Sequence, residues 1–163
     1  MPHTLVVIRH AKSDWSVPVD DRHRPLAKRG RKQAPPAGDW LAAQDLRIEM
    51  AVVSPARRAR DTWAAIAAQL PEPAAQLVVD EAAYTFDGSD LIGVVRALPD
   101  TVRVAALVSH NPAVEELAEL LTGRWLALPT SALAVIELAE WHSAGDGGGR
   151  LVAHGRPADG MPR

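Results

Sequence analysis

The residues best suited to chemistry lie directly after short aliphatic runs. The run LVVIRH places Arg9 and His10 after four aliphatic residues, and the run LVSH ends in His110. Between them, the stretch MAVVSPARRAR carries Arg57 and Arg58 just past its aliphatic part. Such runs are typical of buried strands, and ligands bind outside the carboxyl ends of parallel strands. We therefore expect these histidines and arginines to meet at one small anionic site.

This set of side chains suits the transfer of a phosphoryl group. The planar guanidinium of arginine donates paired hydrogen bonds to phosphate, and a neutral imidazole is a competent nucleophile near pH 7. Because cationic side chains can carry the phosphate charge, we expect no metal and no cofactor. A carboxylic acid would help a poor leaving group to depart. The candidate acid is Glu81, which follows the run QLVVD, with Asp80, Asp14 and Asp21 as alternatives.

The rest of the sequence predicts an α/β fold with three layers, α/β/α, and a mainly parallel central sheet. Aliphatic runs at 5–8, 50–53, 77–79, 104–108 and 133–138 alternate with helix-like segments at about 26–44, 55–70, 88–98 and 112–122. This alternation is typical of βαβ units whose sheet is covered on both faces. The glycine-rich stretch SAGDGGGR joins the last run to residues 150–153 and predicts a hairpin at one sheet edge. We expect residues 1–155 to form a single domain and residues 156–163 to form a flexible tail.

Prolines mark the predicted helix starts. The pairs Ser54-Pro55 and Asn111-Pro112 each match an N-cap residue followed by proline at the first helical position. The pair Pro35-Pro36 instead falls inside a helical pattern, where an interior proline costs roughly 3 kcal/mol. We expect the first helix to break or kink there.

The composition excludes several classes of function. Of 163 residues, 47% are hydrophobic and 23% are charged, which is typical of a soluble globular domain. The formal net charge of −2 argues against a general nucleic-acid binder, although local basic clusters at 22–32 and 57–60 suit a small anion or an acidic partner. No apolar run is long enough to span a membrane, and no signal peptide is evident. There are no cysteines, which fits the cytoplasmic location that we expect. From the net charge and the short apolar runs, we expect no contact with nucleic acid or membrane.

Taken together, the motifs resemble the histidine phosphatase superfamily, whose fold is phosphoglycerate mutase-like, and most of all its small SixA-type phosphohistidine phosphatases. The stretch RHAKS is similar to the family's opening arginine-histidine pair. SPARRARDT resembles its serine, arginine, alanine and threonine motif, and SHNP resembles its late histidine motif. RHRPLAKRG also looks like the family's lead into the first helix, and the resemblance runs from about residue 4 to 138.

The resemblance implies a role for each candidate residue. His10 is implied as the phosphorylated nucleophile, with Arg9, Arg58 and His110 as catalytic residues that bind the phosphoryl oxygens. The second motif favours Arg58 over Arg57 as the phosphate ligand. The chain has no room for the inserted cap subdomain of larger members, so the implied fold lacks that cap. Because phosphohistidine has a good leaving group, a proton donor such as Glu81 would matter less.

The sequence thus predicts a metal-independent phosphatase that works through a phosphohistidine intermediate. The expected partner is a phosphorylated protein, such as a signalling domain that carries phosphohistidine. Two alternatives stay open: a phosphatase or mutase for small phosphomonoesters, and a phosphate-binding module without turnover. Whether Arg57 or Lys12 also contacts phosphate stays open, and Trp15 is expected to wall the mouth of the site.

Overall fold

Strands and helices alternate along the chain in the computed structural model, which describes residues 2–162. The strands are β1 (His3–Arg9), β2 (Met50–Val53), β3 (Gln76–Val79), β4 (Val104–Ser109), β5 (Leu133–Leu138) and β6 (Arg150–Gly155). The α-helices are α1 (Lys28–Ala42), α2 (Arg57–Ala67), α3 (Gly88–Arg96) and α4 (Ala113–Thr122). Short 3-10 helices span Asp21–His23, Glu81–Ala83 and Pro157–Asp159.

The strands form one sheet in the order β3-β2-β4-β1-β5-β6. Strands β1 to β4 are parallel, whereas β5 is antiparallel to β1 and β6 is antiparallel to β5. This confirms the predicted mainly parallel sheet with a hairpin at one edge. The register pairs Arg9 with Ser109 and Val53 with Val108, so the carboxyl ends of β1, β2 and β4 are neighbours.

Two cores cover the sheet, one on each face, which confirms the predicted three layers. Leu5 and Val7 of β1 pack in the core that contains residues of α3 and α4. Val6 and Ile8 pack in the second core, with residues of α1 and α2. Because alternate residues of a strand point to opposite faces, β1 is buried on both sides. The carboxyl end of β1 is therefore held in a fixed position.

Helix α1 runs without interruption through Pro35 and Pro36, so the predicted break is wrong. Proline removes the hydrogen bonds to the carbonyls of Arg31 and Lys32. Both of those residues are exposed, so water can hydrate the two carbonyls. The opposite face of the helix buries residues such as Trp40, and this tertiary packing outweighs the local cost of the prolines.

Neither predicted N-cap caps its helix. Helix α2 begins at Arg57. The hydroxyl of Ser54 instead accepts hydrogen bonds from the backbone amide of Ala56 and from Nε2 of His110. Helix α4 begins at Ala113, and the side-chain amide of Asn111 donates to the carbonyl of Leu128, 3.0 Å away. Both side chains are used to build the end of the sheet rather than to terminate a helix.

The segment after β6 lies against α1. Pro157 is buried, and the indole of Trp40 donates a hydrogen bond of 2.7 Å to the carbonyl of Pro162. These contacts place residues 156–162 on the surface of the second core, and the flexibility of this tail stays a prediction. Among residues 2–162, no helix has the length and apolar character needed to cross a membrane.

Candidate active site

A cavity of about 250 Å³ opens at the carboxyl ends of β1 and β4. Arg9, His10, Arg58 and His110 all line it, although they lie up to a hundred residues apart in the sequence. The rings of His10 and His110 are 5.2 Å apart between centroids. The structure therefore brings together four of the five predicted site residues at the predicted edge of the sheet.

The hydrogen bonds of His10 fix its tautomer. Nδ1 lies 2.8 Å from the carbonyl oxygen of Ala11. A carbonyl can only accept, so Nδ1 carries the proton and Nε2 keeps its lone pair. Burial, with a smaller contribution from the nearby cations Arg58 and Arg9, lowers the pKa of His10 to about 3. At neutral pH the ring is therefore uncharged, with an unprotonated nucleophilic nitrogen at Nε2.

The ring of His110 is held in the opposite sense. Its Nδ1 accepts a hydrogen bond of 3.1 Å from Nη2 of Arg58, because arginine can only donate. Its Nε2 therefore carries the proton and donates to the hydroxyl of Ser54, 2.8 Å away. Burial lowers the pKa of His110 to about 3, and His10 and Arg58 contribute in the same direction. His110 is thus a second neutral imidazole at the site.

Arg58 connects the two imidazoles. Its side chain is only 2% exposed, and its Nε donates to Nε2 of His10 over 3.4 Å. Nη1 donates to the backbone carbonyl of Asp21 at 2.6 Å, and Nη2 donates to the carboxylate of the same residue at 3.0 Å. The long bond to His10 is the weakest of these contacts. It is therefore the contact that an incoming phosphoryl oxygen can most readily replace.

Arg9 and Asn111 converge on the carbonyl of Leu128. Nη1 of Arg9 donates to this oxygen at 3.3 Å, as the side chain of Asn111 does at 3.0 Å. Nε of Arg9 and Oδ1 of Asn111 are buried, and neither has a hydrogen-bond partner among the described residues. Both residues line the cavity, so a bound oxyanion could satisfy the remaining donors of Arg9.

Asp21 is the carboxylate that organises the site. It accepts hydrogen bonds from Arg58, from Nη1 of Arg24 at 2.8 Å and from the hydroxyl of Tyr84. Although partial burial opposes the shift, these hydrogen bonds hold the pKa of Asp21 well below its usual range. Asp21 is therefore ionised at neutral pH and fixes two guanidinium groups at the cavity wall.

Arg24 supplies a third guanidinium group to the cavity. Its side chain is 8% exposed, and Nε donates to the hydroxyl of Ser13 at 2.9 Å. The loop that carries Ser13 lies against α1 at Gly30, where a Cβ atom would come within 2.1 Å of the carbonyl oxygen of Lys12. Only glycine permits this close approach. No role for Arg24 was predicted, because its position in the basic cluster at 22–32 is the only signal in the sequence.

The structure does not bring Glu81 into the cavity. Its carboxylate is 72% exposed and forms two hydrogen bonds with Arg22, at 2.9 and 2.7 Å. The preceding strand, β3, is the edge strand of the sheet and is separated from β1 by β2 and β4. Glu81 is absent from the cavity lining, although Phe86 of the same connection lines it. Of the three alternatives to Glu81, Asp21 lines the cavity.

The remaining candidates divide clearly. Lys12 and Trp15 line the cavity, as expected for Trp15. Arg57 does not line the cavity. Its side chain is exposed and pairs with Asp61 on the same helix at 3.3 Å. Within residues 2–162, no group of three or more histidine, cysteine, aspartate or glutamate side chains is arranged to hold a metal ion.

Comparisons with known proteins show which family the chain belongs to. A family model described as "Histidine phosphatase superfamily (branch 1)" matches residues 5–83. An uncharacterized protein of Mycobacterium leprae, ML1117, is 32% identical over 146 residues, which cover 81% of this chain and 88% of that protein. The chain belongs to the histidine phosphatase superfamily. Together with the likeness to the protein histidine phosphatase SixA, this membership identifies the protein as a phosphatase.

Solved structures of SixA proteins share the fold over almost the whole chain. The SixA protein from Nakamurella multipartitia is 24% identical with a TM-score of 0.84, and the match covers 96% of this chain and 97% of that one. The protein histidine phosphatase SixA in complex with tungstate is 26% identical with a TM-score of 0.80, over 96% and 98% of the two chains. The fold is therefore phosphoglycerate mutase-like and SixA-like, without an inserted cap subdomain.

Proposed function

We propose that the protein is a metal-independent phosphatase that removes phosphoryl groups from phosphohistidine on a protein and works through a phosphohistidine intermediate at His10. The observation that carries the proposal is the state of His10. Its ring is neutral, its Nε2 has a lone pair, and arginines and a second histidine surround it. This is the arrangement that an in-line attack on a phosphoryl group requires.

In the first step, Nε2 of His10 attacks the phosphorus atom of the substrate. A bond forms between phosphorus and Nε2 while the bond between phosphorus and the substrate nitrogen breaks. The leaving imidazole nitrogen keeps the bonding electron pair. In the second step, water attacks phosphorus, the bond to Nε2 breaks, and its electron pair returns to His10. The products are an unphosphorylated histidine side chain on the substrate protein and inorganic phosphate, with the water proton released to solvent or to phosphate.

The cations at the cavity would stabilise the charge of the transferred group. Arg9, Arg24 and Arg58 line the cavity and supply guanidinium donors for the phosphoryl oxygens. A dianionic phosphoryl group beside His110 favours protonation of that ring. Nδ1 of His110 would then donate to a phosphoryl oxygen in place of accepting from Arg58.

The leaving group explains why phosphohistidine is the proposed substrate. Among the described residues that line the cavity, Asp21 is the only carboxylate, and its lowered pKa keeps it ionised. It is therefore a poor proton donor near neutral pH. An alkoxide leaves poorly without a donor, whereas a phosphohistidine ring that is protonated on its other nitrogen leaves readily as neutral imidazole. The likeness to the tungstate complex of the protein histidine phosphatase SixA supports the same substrate class.

A substrate panel tests this proposal. The purified protein would be incubated with a phosphohistidine peptide, sugar phosphates and nucleotides, each with and without EDTA, and phosphate release would be measured. We expect kcat/KM to be highest for the phosphohistidine peptide and to be unchanged by EDTA. A higher kcat/KM for a sugar phosphate would show that the protein is instead a phosphatase for small phosphomonoesters. Loss of activity in EDTA would contradict metal independence.

The organisation of the chain completes the proposal. Residues 1–155 would form the catalytic domain, with residues 156–163 as a flexible tail. We also propose a cytoplasmic location, which the lack of cysteine in the sequence supports.

A further inference from the structure

Two aromatic rings are left uncovered at the mouth of the cavity. Three of the five tryptophans are buried in the two cores, whereas Trp15 is 72% exposed. Phe86, the only phenylalanine of the sequence, is 51% exposed. Both rings line the same cavity as the two histidines. Large apolar side chains that stay exposed beside a ligand cavity mark a recognition surface.

The rings of Trp15 and Phe86 both pack against side chains of the phosphoryl site. The guanidinium of Arg24 lies 3.6 Å from the centroid of the Trp15 ring. The ring of Phe86 is 5.4 Å from that of His110 and 6.3 Å from that of Tyr84, between centroids. These contacts fix the two rings relative to the position of the phosphoryl group. They therefore line the space that the rest of the substrate must occupy.

Two hydroxyl groups that line the cavity already accept hydrogen bonds from protein donors, although Oδ1 of Asn111 has no such partner among the described residues. The hydroxyl of Ser13 already accepts a hydrogen bond from Arg24. The hydroxyl of Thr130 already accepts one from the side-chain amide of Gln33 at 3.2 Å. A sugar would need such hydroxyl groups as acceptors for its own hydroxyls. A flat ring needs only an apolar or aromatic surface, which Trp15 and Phe86 provide.

We propose that Trp15 and Phe86 are specificity residues that bind the planar ring of the phosphorylated histidine side chain. They select phosphoryl groups carried on an imidazole ring over phosphoryl groups with no ring attached. This inference rests on the proposed function, because it concerns the leaving group of the same reaction. Aromatic contacts of this kind are worth about 3- to 10-fold in binding of the ring.

The test compares two substrates that share a phosphorus-nitrogen bond. N-phosphoimidazole carries the ring, and phosphoramidate does not. The ratio of their kcat/KM values would be measured for the wild type, Trp15→Ala, Phe86→Ala and Phe86→Leu. We expect each substitution to lower the ratio of N-phosphoimidazole to phosphoramidate by about 3- to 10-fold. Phe86→Leu keeps apolar volume and removes the ring, so it separates aromatic contact from simple apolar contact.

Trp125→Ala is the matched control, because Trp125 is 64% exposed but does not line the cavity. We expect its ratio to equal that of the wild type. If Trp15→Ala and Phe86→Ala lower both kcat/KM values equally, the rings only support the site and the inference is overturned. An unchanged ratio overturns it as well. If the wild type hydrolyses neither compound, the proposed function itself fails, and the inference falls with it.

Discussion

Buried histidines lie at both ends of β1, His3 as its first residue and His10 directly after its last, and they differ in what surrounds them. At the amino end, the two ring nitrogens of His3 lie 3.3 and 3.2 Å from the carbonyls of Ala139 and Asp100. The ring also packs 4.7 Å from that of Trp141. At the carboxyl end, His10 has one nitrogen on a carbonyl and the other at a cavity lined by cations.

The comparison shows that burial alone does not make a histidine reactive. Both nitrogens of His3 contact backbone oxygens, so the ring connects the loops that carry Ala139 and Asp100 at the amino end of β1. His10 is buried to a similar extent, but its Nε2 accepts only a weak hydrogen bond from Arg58. The carboxyl ends of parallel strands provide that opening, because the chain leaves the sheet there in loops and helix starts. The reactivity of His10 therefore depends on the unprotonated Nε2 and on the arginines that line the cavity beside it.

The largest expected effect separates the two histidines directly. His10→Ala removes the nucleophile and should lower kcat on a phosphohistidine peptide by on the order of 10³-fold or more. His3→Ala removes only packing and hydrogen bonds, so we expect it to keep most of the wild-type kcat and to lower the thermal midpoint. Steady-state kinetics and thermal unfolding of both variants measure this. Retention of more than a few per cent of the rate in His10→Ala would reject the nucleophile.

The next effect concerns the cations that distinguish the carboxyl end. Arg58→Ala removes a buried donor that contacts both imidazoles, and we expect kcat/KM to fall by about 10²- to 10³-fold, as for loss of one oxyanion donor. Arg57→Ala is the matched control, because Arg57 is the neighbouring residue and is exposed. It should change kcat/KM by less than about 2-fold, since an exposed ion pair contributes little. Equal losses in the two variants would contradict the assignment of Arg58.

Asp21 tests whether the cations must be held in place. Asp21→Asn removes the charge that binds Arg58 and Arg24, and charge-assisted hydrogen bonds of this kind are worth about 10- to 100-fold. We expect kcat/KM for the phosphohistidine peptide to fall within that range. Asp20→Asn is the control, because Asp20 pairs with the exposed His23. If Asp21→Asn behaves like Asp20→Asn, the arginines do not depend on this carboxylate.

The smallest effect is a dependence of stability on pH. The pKa of His10 is about 3 in the folded protein, whereas an unfolded histidine has a pKa of about 6.5. The unfolded state therefore binds a proton first as the pH falls, and the free energy of unfolding decreases between pH 6.5 and 3. At pH 5 this term is roughly 1–2 kcal/mol. Urea denaturation at pH 7 and 5 should show a smaller decrease for His10→Asn than for the wild type. An equal decrease in both proteins would mean that His10 is not held neutral by burial.

The sequence was sufficient for the parts of the site that follow buried strands. The aliphatic runs before Arg9 and His110 predicted the strands, and the parallel order of the sheet brought their ends together. Glu81 was misplaced because the sequence does not show that its carboxylate is exposed and pairs with Arg22 outside the cavity. Asp21 and Arg24 lie in a connection with no hydrophobic period, so only their contacts across the fold show what they do.

The helix boundaries were predicted within a few residues, but the prolines of α1 were misjudged. Local propensity predicted a break at Pro35 and Pro36, and burial of the opposite helix face outweighed it. Ser54 and Asn111 were misjudged in a similar way. Their sequence positions favour helix caps, but their polar atoms bond to His110 and to Leu128 instead. Contacts between distant segments decide such cases.

Direct detection of phosphate on His10 is the sharpest test of the central claim. The protein would be mixed with a phosphorus-32 phosphohistidine peptide, quenched in base within milliseconds and digested, and the labelled peptide would be identified by mass spectrometry. We expect base-stable, acid-labile phosphate on the peptide that contains His10, in the wild type and in His3→Ala, and none in His10→Ala. Rapid turnover with label on another residue, or with no label at any quench time, would contradict the account.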